Sequence, residues 1–106
     1  MNNLDRFSII AKLEMLNRLV NKDIENAKES IEHWESRTKE FGEDAVIHSN
    51  VTYKDALNRS IGSVNFYEGI INENNRLINL LEEELNQSEE YRLINALEKE
   101  LNRSEE

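Results

Sequence analysis

Apolar residues recur every three or four positions from near the start of the chain to Phe41. Such spacing places them on one face of an α-helix, because 3.6 residues complete each turn. It predicts a helix over residues 4–41, with Asn2 or Asn3 as its N-cap and Gly42 as the left-handed residue that ends it. The residues of this first stripe are Leu13, Leu16, Val20, Ile24, Ala27, Ile31, Trp34, Thr38 and Phe41.

A second stripe of the same period begins after a connection over residues 42–51. Thr52 and Asp55 have the spacing of a capping box, with Asp in place of the usual Glu. We therefore expect a second helix over residues 52–87. The residues of this second stripe are Leu57, Ile61, Val64, Glu68, Ile71, Asn74, Ile78, Leu81 and Leu85.

Helices of similar length joined by a short connection are expected to fold back as an antiparallel hairpin. Two helices cannot enclose a core, and a widened apolar flank over Ile9–Leu19 is left uncovered in such a hairpin. The sequence predicts an all-α fold in a single domain over residues 1–106. It consists of a long, coiled-coil-like antiparallel hairpin plus a short C-terminal helix, assembling into a multi-helix bundle through oligomerisation.

Three positions of the second helix bear on how helices meet. Asn74 interrupts the apolar seam, and we expect it either to fix the register of pairing or to face water. Gly62 and Gly69 lie seven residues apart and so share one face. This pair favours close approach by another backbone, and a local bend near Gly62 is the alternative.

The end of the chain repeats itself. Arg76–Glu90 aligns with Arg92–Glu106 at an offset of 16, and each copy has 15 residues. In one straight helix that offset turns the second copy by about 160°, so the copies cannot line one seam unless the helix breaks. Ser88 can cap a new helix, which we expect over residues 89–104. The copies differ only at Leu80/Ala96, Glu83/Lys99 and Gln87/Arg103.

Three arrangements of this tail stay open: a helix folded across the hairpin, a continuation of the second helix with an opposite apolar face, or a loosely ordered duplication. The first two supply a second adhesive surface. A bundle assembled from several copies assigns the oligomer interface to the apolar stripes and the tail. The expected interface residues are Ile9, Leu13, Leu16, Val20, Asn74, Ile78, Leu81, Leu85, Leu93 and Leu97.

The charge of the chain narrows the choice of partner. The net charge is −9, and Arg76–Glu106 holds nine acidic and four basic residues, which is −5 of that total. Direct nucleic-acid binding needs a basic face and is not expected. A protein partner is expected, and the charge favours a basic one, although a solvated acidic face is the simpler interpretation. The candidate acidic partner-binding surface comprises Glu82, Glu83, Glu89 and Glu90.

Candidate chemistry is sparse. Without cysteine, disulfides and thiolate metal sites are excluded. No apolar run reaches the roughly 20 residues of a membrane span, and no signal peptide is evident, so we expect a cytoplasmic protein with no membrane contact. Glu29 and His33 lie one helical turn apart, but a solvated face explains them better than a metal site. We expect no catalytic residue, cofactor or metal.

Two partial resemblances to known families were weighed. The glutamates of Glu29–Glu35 and Glu82–Glu84 resemble those of small all-helical nucleoside triphosphate pyrophosphatases, which present acidic clusters to Mg²⁺. In that family an ExxE pattern on one helix is matched by an ExxD pattern on the next helix. The second helix here has no ExxD pattern near the centre of the hairpin. The chain is also similar in length and predicted hairpin shape to the WXG-type secreted proteins. However, Trp34-Glu35-Ser36 lies inside a helix and lacks the glycine, so no family is assigned.

These observations favour a non-enzymatic protein–protein interaction protein. The first expectation is a small acidic regulator or inhibitor of a host protein, of the type that phages and mobile elements encode. The alternative is a structural or assembly protein, a coiled-coil scaffold or adaptor. An all-α Mg-dependent nucleotide pyrophosphatase comes third. A regulator should form a closed dimer or tetramer, whereas a scaffold should grow with concentration.

Overall fold

The computed structural model describes residues 1–104, apart from the side chains of residues 89–91 and 104. Two long helices, α1 (Asn3–Phe41) and α2 (Tyr53–Gln87), pack as a hairpin, and a short C-terminal helix follows, α3 (Glu89–Ser104). The all-α hairpin with a short C-terminal helix, predicted from the sequence, is confirmed. Oligomerisation stays a prediction.

Both ends of α1 form as the sequence predicts. The backbone N–H of Asp5 donates to the side-chain Oδ1 of Asn2 over 2.8 Å, so Asn2 is the N-cap. Gly42 has a φ of 95° and donates its N–H to the carbonyl of Thr38 over 2.8 Å. A residue with a Cβ is strained at that φ, and this explains why a glycine ends the helix.

The connection between the long helices contains a small β-hairpin that the sequence analysis did not predict. Strand β1 (Val46–His48) pairs antiparallel with β2 (Val51–Thr52). Ser49 and Asn50 lie between the strands with φ values of 40° and 68°. Two successive residues of positive φ form the type of turn whose twist matches paired strands. Val46 is exposed and Ile47 is half-buried, so the connection packs inward at Ile47 and not at Val46.

The start of α2 confirms the capping box. Thr52 donates its N–H to Asp55 Oδ2, and Asp55 donates its N–H to Thr52 Oγ1, both over 3.1 Å. The hydrogen bond that the Asp55 carboxylate accepts from the Thr52 backbone N–H, and then the one from the Thr52 hydroxyl, lower the pKa of the Asp55 carboxyl from its ordinary value of 3.8.

The chain groups into two compact units, a central one and a terminal one. The central unit, Met15–Glu73, buries Ile24 and Val64. Its α1–α2 packing includes the rings of Trp34, Phe41 and Tyr53. Phe41 and Tyr53 stack with centroids 5.4 Å apart, and Trp34 lies 6.1 Å from Tyr53. The terminal unit comprises Met1–Glu14 with Asn74–Glu106, and its core is described below.

The faces that the two helices bury differ slightly from the predicted stripes. Leu16 and Glu68 are exposed, while their neighbours Asn17 and Tyr67 are half-buried. Each helix is therefore rotated slightly from the predicted face within the hairpin, and the place of Leu16 in an oligomer interface stays a prediction. A methyl group added at Gly62 or Gly69 meets no heavy atom from elsewhere in the described chain within 4 Å, so a close approach at these glycines stays a prediction for a helix of another molecule. The helix α2 continues through both glycines.

Candidate functional site

The first copy of the repeat lies in α2 and supplies half of a small core in the terminal unit. Ile78 and Leu85 are buried with Ile10 of α1, and Leu13 and Leu81 pack against that cluster. Burying an aliphatic side chain of this size is worth roughly 1.5–3 kcal/mol before entropy is subtracted. The first copy is therefore an α1-binding face.

Polar contacts flank this core. Arg6 Nε lies 2.9 Å from Glu84 Oε2, and Arg6 Nη1 donates to Asn3 Oδ1 over 3.0 Å. Asn3 Nδ2 in turn donates to Ser88 Oγ over 3.1 Å. Arg6 lies near the N-terminus of α1, which carries partial positive charge, and Glu84 lies near the C-terminus of α2, which carries partial negative charge. The helix dipole therefore disfavours each of these charges. Their pairing offsets that penalty and fixes the register of the two helix ends.

The helix breaks between the two copies, which excludes a straight continuation of α2 through the repeat. Ser88 separates α2 from α3, and its hydroxyl donates to the carbonyl of Leu85 over 2.9 Å. The N–H of Arg92 then donates to the carbonyl of Ser88 over 3.1 Å, which opens the hydrogen-bond series of α3. The tail is thus a separate helix.

The second copy presents the same apolar side chains to solvent. In α3, four aliphatic residues on one helical face are between 46% and 65% exposed. In the first copy, the equivalent four residues are buried or half-buried. Identical sequence therefore has opposite burial in the two copies. The exposed residues of this α3 face are Leu93, Ile94, Leu97 and Leu101.

The differences between the copies avoid the binding face. In α2 they fall at Leu80, Glu83 and Gln87, which are all exposed. At 100° per residue these three positions cluster on the side of α2 away from Ile78 and Leu85. The second copy has changed its outer side and kept the equivalents of Ile78, Leu81, Glu84 and Leu85, which contact α1 in the first copy.

The predicted interface residues divide by burial. Ile78 and Leu85 are buried, and Leu16, Leu93 and Leu97 are exposed. The remaining five, Ile9, Leu13, Val20, Asn74 and Leu81, are half-buried. Leu13, Ile78, Leu81 and Leu85 pack within the chain's own hairpin. In the central unit, an α1 flank of Met15, Leu16 and Leu19 remains exposed.

The predicted acidic surface is only partly described. Glu82 and Glu83 are exposed, whereas the side chains of Glu89 and Glu90 lie outside the described residues. The sequence analysis missed Arg6 and Glu84, which pair across 78 positions of sequence. One signal was available for Glu84, because the repeat keeps a glutamate at its equivalent, Glu100.

Other features of the described part of the chain add no site. A groove of ≈ 330 Å³ lies beside the terminal core, lined by Phe7, Ile10, Glu82, Leu85 and Asn86. No group of three or more His, Cys, Asp or Glu side chains among the described residues is arranged to hold a metal ion. Within residues 1–104, no helix combines the length and apolar character that crossing a bilayer requires.

Comparison of the chain with protein-family models, curated proteins and solved structures finds no match. The α3 face and the acidic surface are the features of the described chain that bear on its function.

Proposed function

We propose that this chain is a non-enzymatic protein-interaction protein, a small acidic cytoplasmic regulator or inhibitor of a host protein of the type that phages and mobile elements encode. One observation carries the proposal: α3 exposes the apolar face that its duplicate in α2 uses for helix packing. A contiguous exposed apolar patch on a small protein is typical of a protein-binding surface.

The charge of the chain supports a basic partner. With a net charge of −9, the protein attracts a basic protein and repels acidic ones. In this division of roles, apolar contact through α3 supplies affinity, and acidic residues such as Glu82 and Glu83 accelerate association. The protein acts by covering the surface of its target that packs against the α3 face.

Self-association forms part of the proposal. The α1 flank of Met15, Leu16 and Leu19 is exposed in the single chain. Two such flanks meeting about a two-fold axis would cover each other. The proposed working form is a closed dimer or tetramer.

Affinity capture from a host lysate tests the proposal. The full chain serves as bait beside a Leu97→Asp variant, whose substitution lies on the exposed α3 face and should leave the melting temperature unchanged. We expect one predominant protein on the wild-type bait, absent from the variant. The association rate of that protein should fall steeply between about 50 and 500 mM salt. Equal capture by both baits would refute a role for α3.

A scaffold or adaptor is the second candidate. The α3 face and the α1 flank are separate adhesive surfaces on one chain. If each bound the other surface on a neighbouring copy, the contact would be heterologous and could propagate. Sedimentation velocity over a hundredfold concentration range separates the candidates. A constant mass supports the regulator, and a mass that grows with concentration supports the scaffold.

A further inference from the structure

We infer that the α3 face binds a helix of another protein that carries arginine at position i, a branched aliphatic residue at i+4 and leucine at i+7. This is the pattern of Arg6, Ile10 and Leu13 in α1. The inference rests on the proposed function, because it specifies the segment of the target that the regulator recognises.

The first copy of the repeat shows what its face recognises. Ile78 and Leu85 enclose Ile10, with Leu13 and Leu81 against the same cluster. Arg6, Ile10 and Leu13 follow one another at helical intervals of four and three, so they lie along one stripe of α1. The face therefore selects a helix by two aliphatic contacts and one cation.

The cation is recognised by a defined group. The Arg6 side chain is only 19% exposed, and its Nε lies 2.9 Å from Glu84 Oε2. A carboxylate and guanidinium at this distance form a charge-assisted hydrogen bond, which is directional. Glu84 thus adds charge selectivity to an otherwise apolar contact.

The second copy contains each of these groups. Its equivalent of Glu84 is Glu100, which lies 3.5 Å from Arg103 in an exposed pair of the i,i+3 type. Exposed pairs of this kind contribute little to stability, so an arginine of a docking helix can compete with Arg103 for Glu100. The equivalents in α2 and α3 are Leu77/Leu93, Ile78/Ile94, Leu81/Leu97, Glu84/Glu100 and Leu85/Leu101.

The helix that packs on the second copy belongs to another protein. Ile10 is 9% exposed, and the first copy already covers it. The same holds for α1 in a second molecule of the chain, so each chain offers one α1 stripe and two copies of the face that binds it. A helix of similar pattern and charge in a target protein is the occupant that satisfies both the aliphatic face and Glu100.

A peptide of α1 itself is the probe. The peptide MNNLDRFSIIAKLEML, residues 1–16, carries a fluorophore and is titrated with the full-length protein while anisotropy is measured. We expect saturable binding, weakened at least tenfold by Leu97→Asp. Glu100→Lys should weaken binding about fivefold or more, since it removes one ion pair and adds a like charge. A peptide with Arg6→Glu should recover binding to the Glu100→Lys protein.

Two variants make the experiment specific. Glu25→Lys makes the same charge change at an exposed residue of α1 in the central unit and should weaken binding less than twofold. Glu84→Lys tests the other route, in which the peptide replaces α1 inside the hairpin. A dominant effect of Glu84→Lys, or equal effects of Glu25→Lys and Glu100→Lys, would overturn the inference.

Other outcomes of these experiments would identify a different binding partner of the α3 face. If wild-type protein self-associates and Leu97→Asp releases monomers, a second copy covers the α3 face. If α3 binds vesicles of anionic lipid and ignores the peptide, a lipid surface covers it. If the peptide does not bind while lysate capture still depends on Leu97, the recognised pattern is wrong but the proposed function stands. If capture is also independent of Leu97, the recognised pattern and the proposed function are both wrong.

Discussion

Leu85 and Leu101 occupy the same place in two copies of one repeat, yet Leu85 is 3% exposed and Leu101 is 65% exposed. The segments around the two leucines have nearly the same sequence, so local propensity does not separate them. The difference arises because Ile10 of α1 packs on the first copy.

This pair makes a matched prediction. Leu85→Ala should lower the free energy of unfolding by about 2–3 kcal/mol, because it removes buried methyl groups and leaves a cavity. Leu101→Ala should change it by less than about 0.5 kcal/mol in dilute protein. Urea unfolding monitored by circular dichroism measures both. Equal losses would mean that the α3 face is covered in solution.

The glycines make a second matched prediction. Gly62→Ala should stabilise the protein by about 1 kcal/mol, because an alanine methyl meets no atom within 4 Å and alanine favours helix. Gly42→Ala should destabilise it by about 1–2 kcal/mol, because Gly42 holds a φ of 95°. Thermal melts of the two variants should therefore move in opposite directions. A destabilised Gly62→Ala assembly would reveal a helix packed on that face in the oligomer.

The capping box at the start of α2 predicts a dependence on pH. Hydrogen bonds from Thr52 lower the pKa of Asp55 below 3.8 in the folded protein. A carboxyl whose pKa is depressed by folding stabilises the protein fully above its unfolded pKa, and that contribution is lost as pH falls through the folded value. Wild-type protein should thus lose its stability advantage over Asp55→Asn as pH falls from about 5 towards 2. An advantage that is constant with pH would contradict this cause.

Asn74 tests whether a polar residue on the seam specifies pairing. It is half-buried, so leucine at this position should add apolar contact and raise the melting temperature by roughly 4–8 °C. The same change removes a group that penalises shifted registers, so the distribution of oligomers should broaden. Sedimentation velocity and thermal melts measure the two effects. A narrow distribution with unchanged stability would place the side chain in water.

Binding of the captured partner should respond to charge at α2. Glu82→Lys with Glu83→Lys should slow association about tenfold at low salt and leave the melting temperature nearly unchanged, because both side chains are exposed. Stopped-flow measurements over a salt series test this. An unchanged association rate would assign recognition to the apolar α3 face alone.

The sequence by itself determined the features that neighbouring residues encode. Apolar residues spaced three and four positions apart predicted both long helices. Gly42 marked the end of the first helix, and the capping box of Thr52 and Asp55 marked the start of the second. Ser88, recognised from the sequence as a possible cap of a new helix, lies at the break between α2 and α3. Each of these signals acts within about one or two helical turns, so it is readable without knowing the fold.

Only the tertiary structure decided which side chains meet. Arg6 and Glu84 are 78 positions apart, and nothing near either residue specifies the other. Each long helix is rotated so that Asn17 and Tyr67 are half-buried while Leu16 and Glu68 are exposed. This rotation depends on how the two helices pack together. The burial of one copy of the repeat and the exposure of the other have the same cause. Burial depends on the presence of a partner surface, and α1 covers only one copy of the repeat.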